Sequence, residues 1–234
     1  MKKIITTLII TVVTLSSYAQ NLDEIIKKHN EAIGGKDNWI KVKSMKTTGT
    51  TKAQGAEIKI TILQVDKKAM RQDIALMGMN GYSILTNTEG WNFMPFAGQT
   101  KPEPSTADDV KKSQDDLNIM PDFFTYKEQG KKLELIGKDD FDGTECFKLK
   151  MTNKDNQETT YYIDPSNYYI LKQTFKIKTN GQEVENSISY GNFKKLNEGI
   201  VYPMSIASGW GEAEITKIEI NPTIDDSEFK VPAK

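Results

Sequence analysis

The amino-acid sequence predicts a mainly β protein whose antiparallel strands form a barrel or a half-barrel. Short segments that alternate apolar and polar residues recur through most of the chain. Turn-forming dipeptides separate these segments, as expected of consecutive strands joined by tight hairpins. Roughly ten or eleven such segments can be counted, enough for a twisted sheet to curl on itself. Two helical segments remain, and we expect them to cover the open side.

The first nineteen residues have the pattern of a secretory signal peptide. Lys2 and Lys3 form a basic start, an apolar run follows from Ile4 to Leu15, and small residues lead to Ala19. This run is too short to span a bilayer as a permanent helix. Because the small residues Ser17 and Ala19 lie three and one positions before the cut, we expect cleavage after Ala19, with no cysteine beside it to carry a lipid anchor. The mature chain, residues 20–234, is predicted to be one soluble periplasmic domain without stable membrane insertion.

The first helix of the mature chain follows directly. Asn21 is a candidate N-cap, and Gly34-Gly35 is a typical helix end. His29, the only histidine, falls on the apolar side of this helix and is expected to be partly buried with its hydrogen bonds satisfied. The apolar stripe that predicts the helix consists of Leu22, Ile25, Ile26, Ala32 and Ile33.

From Val42 onward the period changes from that of a helix to two, which predicts half-buried strands. Ile58, Ile60 and Ile62, for example, face one way while the polar residues between them face the other. The predicted hairpin turns are Asn80-Gly81, Asp142-Gly143 and Asn180-Gly181, and Asn153–Asn156 is predicted to be a longer loop.

One segment, Pro102–Phe124, interrupts the strands and is predicted to be a mobile helical insert. Ser105 or Thr106 can cap it, and Asp108 follows in the first turn. Its sparse apolar stripe consists of Val110, Leu117 and Met120.

The residue types exclude most enzymatic chemistry. With one histidine and one cysteine there is no residue set for a zinc site, a Cys-His pair or a Gly-x-Ser-x-Gly elbow. Cys146 is expected to be an inert core residue. Because adjacent side chains diverge, the acidic doublets are expected on the solvated surface rather than in a catalytic pair. They are Asp115-Asp116, Asp139-Asp140 and Asp225-Asp226.

We therefore expect no enzymatic activity, no catalytic residue, no metal site and no cofactor. The formal net charge of −1 becomes about −3 when the two lysines of the signal peptide are lost, so nucleic acid is not an expected partner. The protein is expected to be a monomer.

One stretch of the chain is rich in methionine and aromatic residues, which suits a hydrophobic cavity. Thioether side chains can repack around ligands of varied shape. An ordinary core would have a similar composition, and that alternative stays open. The candidate cavity residues are Met70, Leu76, Met77, Met79, Trp91, Phe93, Met94 and Phe96.

Arg71 is the only arginine in the chain. Its planar guanidinium suits bidentate pairing with a carboxylate or donation to several backbone carbonyls. It could fasten a covering helix shut, or it could be a surface residue paired with Asp73 or Asp66.

Several segments together resemble the LolA/LolB-like outer-membrane lipoprotein-sorting proteins. The resemblance begins with Thr88–Phe96 followed by Gln99, which is similar to a hairpin of that family. It continues, more loosely, over most of the mature chain. The other matching segments are Ala32–Gly35 with Trp39, Tyr161–Pro165 with Ile170–Lys172, Gly199–Pro203, Ile220–Pro222 and Phe229–Pro232.

The resemblance implies an incomplete antiparallel barrel of about eleven strands with helices over its opening. It implies a periplasmic carrier that binds the acyl chains of lipoproteins or lipids and ferries them towards the outer membrane. An inner-membrane donor complex and an outer-membrane acceptor would be its partners, and Arg71 would lock the lid. Relatives of this fold also imply an alternative, a periplasmic sensor or adaptor that binds a protein partner or a lipid in envelope-stress regulation.

Overall fold

The structure, a computed structural model, describes residues 21–53, 55–179, 182–209 and 211–232. The predicted signal peptide and the predicted Asn180-Gly181 turn lie outside these residues. Helix α1 spans residues 21–32. The remaining α-helices are α2 (Lys36–Trp39) and α3 (Ala107–Lys112), and short 3-10 helices cover Pro95–Ala97, Gln114–Leu117, Asp122–Phe124 and Asp226–Phe229.

Thirteen strands make up the rest of the regular structure. They are β1 (Ser44–Ala53), β2 (Ala56–Val65), β3 (Ala69–Leu76), β4 (Met79–Thr86), β5 (Gly90–Phe93), β6 (Glu103–Pro104), β7 (Lys132–Phe141), β8 (Thr144–Thr152), β9 (Glu158–Ile163), β10 (Ile170–Thr179), β11 (Gln182–Lys195), β12 (Val201–Ser208) and β13 (Gly211–Ile220).

The strands form one antiparallel sheet in the order β6-β5-β4-β3-β2-β1-β13-β12-β11-β10-β9-β8-β7. Strands β6 and β7 are its two edges, so the sheet is not closed, and the predicted mainly β, incomplete barrel class is confirmed. The strand count exceeds the predicted eleven. Very short strands such as β6, with two residues, give no alternation that a sequence pattern could detect.

The chain divides into two compact units. Unit 1 contains residues through Lys36 together with Asp122–Ser189, and unit 2 contains Asp37–Pro121 together with Tyr190–Lys234. Each unit has its own hydrophobic core. That residues 20–234 form one domain stays a prediction.

In unit 1, helix α1 packs its apolar stripe onto strands β7, β8 and β9. Ile25 and Ile26 of the helix join one core with the strand residues Leu149 and Ile163, which are fully buried. The rest of that core consists of Phe123, Tyr126, Leu133, Met151 and Tyr161. The predicted helix end is also confirmed, since Gly35 has a φ of 76° and donates from its N–H to the carbonyl of Asn30 at 2.8 Å.

Two of the predicted turns can be compared with the structure of the hairpins. Asp142-Gly143 forms the β7–β8 turn with φ values of 51° and 78°, as predicted. The prediction for Asn80-Gly81 was wrong, because both residues lie inside β4 and the turn is Met77-Gly78, with φ values of 51° and 80°. Gly78 and Gly81 lie three residues apart, and a turn at either one would give an equally short hairpin. Packing against Gly81 determines which of the two turns forms.

His29 is buried in unit 1 at 3% exposure, as the helical pattern predicts. Its Nδ1 lies 2.7 Å from the carbonyl oxygen of Tyr168, and its ring meets that of Phe123 edge-on at 5.0 Å. Burial lowers the pKa of His29 from 6.5 to about 4, and the hydrogen bond to Tyr168 offsets only part of this effect. The neutral imidazole is therefore the form that the fold stabilises.

This depressed pKa predicts a loss of stability in mild acid. Because the unfolded chain binds a proton below pH 6.5 and the folded chain only below about pH 4, stability falls as the pH drops through that window. Between pH 7 and pH 5 the free energy of unfolding should decrease by about 2 kcal/mol more in the natural protein than in His29→Gln, measured by urea unfolding. Equal pH dependence in the two proteins would contradict this assignment.

Candidate apolar binding face

Unit 2 presents one sheet face whose apolar side chains are only partly buried. Strand β2 contributes Ile58, Ile60 and Ile62, which alternate with more polar residues as the sequence pattern predicts. We name this surface the apolar face. Its members are Ile58, Ile60, Ile62, Ile74, Leu76, Met79, Ile206, Ala213 and Ile218, all of which are half-buried except Met79, which is 40% exposed.

The strand register brings these residues together. Ile60 of β2 lies opposite Ile74 of β3, and Ile58 lies opposite Leu76, which in turn lies opposite Met79 of β4. Because side chains alternate across a strand, all of these side chains point to the same side. Strand β1 places Thr47, Gly49 and Thr51 on this side, and β13 beyond it adds Ala213 and Ile218.

The predicted cavity residues separate between this face and the opposite one. Leu76 and Met79 belong to the apolar face, and Met70 lies on the same side of β3, opposite Leu85. Met77 is at the tip of the β3–β4 hairpin and is 80% exposed. Trp91 and Phe93 point to the other side, since Trp91 pairs with Ile84 and Phe93 with Tyr82.

Met94 and Phe96 reach the apolar side at Gly81. A Cβ atom on Gly81 would lie 2.8 Å from the Phe96 ring, 3.1 Å from the Met94 sulfur and 2.8 Å from the carbonyl of Phe93. The missing side chain of Gly81 therefore admits these two residues against β4. This packing explains why Asn80-Gly81 is inside a strand rather than in a turn.

The helical insert packs on the same side of β3 and β4, at the end of the strands away from the Met77 tip. Thr106 caps α3 by accepting a hydrogen bond from the Asp109 N–H at 3.1 Å, as one of the two predicted caps. Val110 and Leu117 are buried. Gln64 of β2 donates from Nε2 to the carbonyl of Asp116 at 2.9 Å, which fixes the insert to the sheet.

The opposite side of β3 and β4 is sealed by the C-terminal strap, which we define as residues 221–232. Phe229 of the strap is 5% exposed and forms a core with Tyr82 and Ile84. The other members or neighbours of this core are Leu63, Val65, Ala69, Trp91, Phe93, Ile224 and Val231. Trp91 and Phe93 therefore serve in packing beneath the strap.

Arg71 fastens the strap to β3. Its Nη1 donates to the carbonyl of Glu228 at 2.8 Å, and its Nε and Nη2 donate to the carboxylate of Asp73 at 2.7–2.9 Å. The guanidinium also lies 5.2 Å from the ring centre of Tyr82. Of the two carboxylate partners that the sequence offered, Asp73 and Asp66, Arg71 pairs with Asp73. The segment that Arg71 holds is the strap rather than a covering helix.

The acidic doublets have structural roles. In unit 1, Asp139 pairs with Lys148 at 2.8 Å. In unit 2, Asp225 caps a 3-10 helix by accepting from the Ser227 N–H at 2.8 Å. No three His, Cys, Asp or Glu side chains of the described residues form a group that could hold a metal ion. Within the same ranges, no helix combines the length and apolar character needed to cross a membrane.

The contacts of Arg71 predict that lysine cannot replace it. Arg71→Lys keeps the charge but loses the planar set of donors, so the free energy of unfolding should fall by about 1–3 kcal/mol. Amide hydrogen exchange in residues 224–231 should accelerate.

The matched control is Lys68→Ala, which removes an exposed ion pair to Asp226 in the same strap and should cost less than about 1 kcal/mol. If both variants exchanged the strap amides at the rate of the natural protein, Arg71 would not be the fastening residue.

Comparisons with known proteins support the fold. No family model and no curated protein sequence matches the chain. Among solved structures, a LolA superfamily protein from Nitrosomonas europaea is similar over 89% of this chain and 97% of its own, with 16% identity and a TM-score of 0.54. A domain assigned to outer membrane lipoprotein sorting from Vibrio parahaemolyticus is similar over 88% and 94%, with 15% identity and a TM-score of 0.51.

A DUF1329 family protein from Desulfovibrio piger is similar over 89% of this chain and 96% of its own, with 11% identity and a TM-score of 0.53. At such low identities the likeness shows a shared fold and does not extend to ligands or partners. The chain is therefore similar in fold to these solved structures, among them a LolA superfamily protein, as the resemblance in its sequence predicts.

Proposed function

We propose that this protein is a periplasmic carrier that binds acyl chains of lipoproteins or lipids on the apolar face and ferries them towards the outer membrane. The observation that carries the proposal is the partial exposure of aliphatic side chains that lie opposite one another on β2 and β3. Ile60 and Ile74, opposite each other in the middle of β2 and β3, are both half-buried. On the other side of these two strands, the strap covers Leu63, Val65 and Ala69 at one end.

The energetics favour an acyl ligand. A chain of about sixteen carbons costs on the order of 12 kcal/mol to expose to water, at roughly 0.8 kcal/mol per methylene. Such a chain needs an apolar surface to cross an aqueous compartment. Binding also lowers the free energy of the protein surface, because the acyl chain would cover the half-buried isoleucines and remove further apolar surface from water.

Release is as necessary as binding. The aliphatic side chains of the apolar face can contact an acyl chain without specific hydrogen bonds. Met79, Met94 and Phe96 at the margin of this face can adjust to ligands of different shape. A chain held in this way can leave for an acceptor without breaking polar interactions.

The cargo would come from an inner-membrane donor complex and pass to an outer-membrane acceptor. The role requires no catalytic residue and no cofactor. The fold shared with lipoprotein-sorting proteins supports this proposal by analogy only.

A second candidate function is a sensor or adaptor that binds a protein partner. Ile177 of β10 and Val184 of β11, in unit 1, lie opposite each other and are 42% and 46% exposed. An exposed apolar cross-strand pair suits contact with another protein. This function predicts capture of one specific partner and no bound acyl chain.

Substitutions on the two faces of β2 and β3 test the proposal that the apolar face binds an acyl chain. We expect the double variant Ile60→Gln and Ile74→Gln to weaken binding of pyrene-labelled dodecanol about tenfold or more, because a polar amide replaces apolar contact with the chain. Binding is measured by fluorescence titration. Lys59→Gln, on the opposite side of the same strand, should bind as the natural protein does.

Circular dichroism of the three proteins should agree. If the double variant folded normally and bound the probe with undiminished affinity, the apolar face would not be the binding surface.

A further inference from the structure

Unit 2 contains a cleft of about 290 Å³ where β12 and β13 separate. The two strands pair only from Ser205 opposite Glu214 to Ser208 opposite Gly211. Beyond Ser205 the strands diverge. The cleft is lined by Lys194, Lys195, Leu196, Asn197, Glu198, Met204, Thr216, Lys217 and Ile218.

The sequence explains why the strands diverge here. Pro203 of β12 has no N–H to donate to a neighbouring strand. In β13 the register with β1 shifts between Thr48 and Gly49, so that it passes from Lys217 to Ile215 and skips Thr216. A bulge of this kind increases the local twist and turns the strand away from its neighbour.

The cleft lies in the plane of the sheet. Adjacent residues of a strand point to opposite faces, yet both Lys217 and Ile218 line the cleft, as do both Lys194 and Lys195. The gap is therefore bordered by residues from both faces. Ile218 is a member of the apolar face, so one residue of that face lines the same cleft as the three lysines.

The charge around the cleft favours an anion. Lys217 pairs with Glu219 at 3.1 Å. Lys194 and Lys195 form no ion pair with any described residue, and Glu198 is the one carboxylate in the lining. The hydrogen bond from the Leu196 N–H to the Ile200 carbonyl, at 2.8 Å, closes the turn that follows the two lysines and holds the end of β11 in place.

We propose that this cleft binds the anionic head group of an acyl ligand, a carboxylate or a phosphate monoester. The lysines hold the head group, and the chain passes Met204 and Ile218 onto the apolar face. This inference rests on the proposed function and deepens it, because it assigns the ligand a charged end and a fixed direction. The preference for an anion would come from charge-assisted hydrogen bonds that the lysine ammonium groups donate to the carboxylate or phosphate oxygens.

The test compares probes that share a chain and differ in the head group. Pyrene-labelled dodecanoate and pyrene-labelled dodecanol are titrated against the natural protein and the triple variant Lys194→Gln, Lys195→Gln, Lys217→Gln. The triple variant should bind the carboxylate probe about tenfold or more weakly and the alcohol about as well as the natural protein does. The matched control is Lys52→Gln, Lys59→Gln, Lys101→Gln, which removes three exposed charges elsewhere in the unit and should bind both probes normally.

The other outcomes separate this inference from the proposed function. If the natural protein binds both probes and the triple variant loses neither, the cleft is not the head-group site and the carrier proposal stands. If the natural protein binds neither probe, both proposals fail. Dodecyl phosphate and inorganic phosphate distinguish the two sources of an anion: equal affinity for them would make the cleft a free-anion site and overturn its coupling to the acyl chain.

Discussion

The burial of Phe229 against β3 and β4 determines which side of these strands is covered within unit 2. Tyr82, Ile84 and the strap form a dry core on one side, with Arg71 bonded to the backbone beside Phe229. A strand has only two faces, so sealing one of them leaves the alternate residues to the other. Ile60 and Ile74 lie on the other face and are half-buried.

Arg71 suits this position for a physical reason. Its guanidinium can satisfy Asp73 and a main-chain carbonyl at the same time, in one plane, which an ammonium group cannot do. Donation to a backbone carbonyl places no demand on the side chain at position 228. Arg71 thus holds the strap by its main chain, while Phe229 is the buried apolar side chain of the strap.

The sequence predicted what depends on local pattern. Alternation identified β2, helical spacing identified α1 with His29 on its buried side, and Thr106 was identified as a cap of the insert. Each of these features follows from residues a few positions apart.

Features that depend on distant pairing were not predictable in the same way. Gly81 resembled a turn residue, and only contact with Phe96 shows why it lies in a strand. Trp91 and Phe93 looked like cavity residues beside Met94, but their strand parity places them with Phe229, more than a hundred positions away.

The most direct test of the account is native mass spectrometry of residues 20–234, purified without detergent from the periplasm of a bacterium that makes lipoproteins and phospholipids. The account predicts additional mass that resolves into acyl-bearing species, and loss of that mass in the Ile60→Gln, Ile74→Gln variant. Protein that stays empty, even after mixing with lipoprotein-loaded membranes, would contradict the carrier and favour the sensor or adaptor.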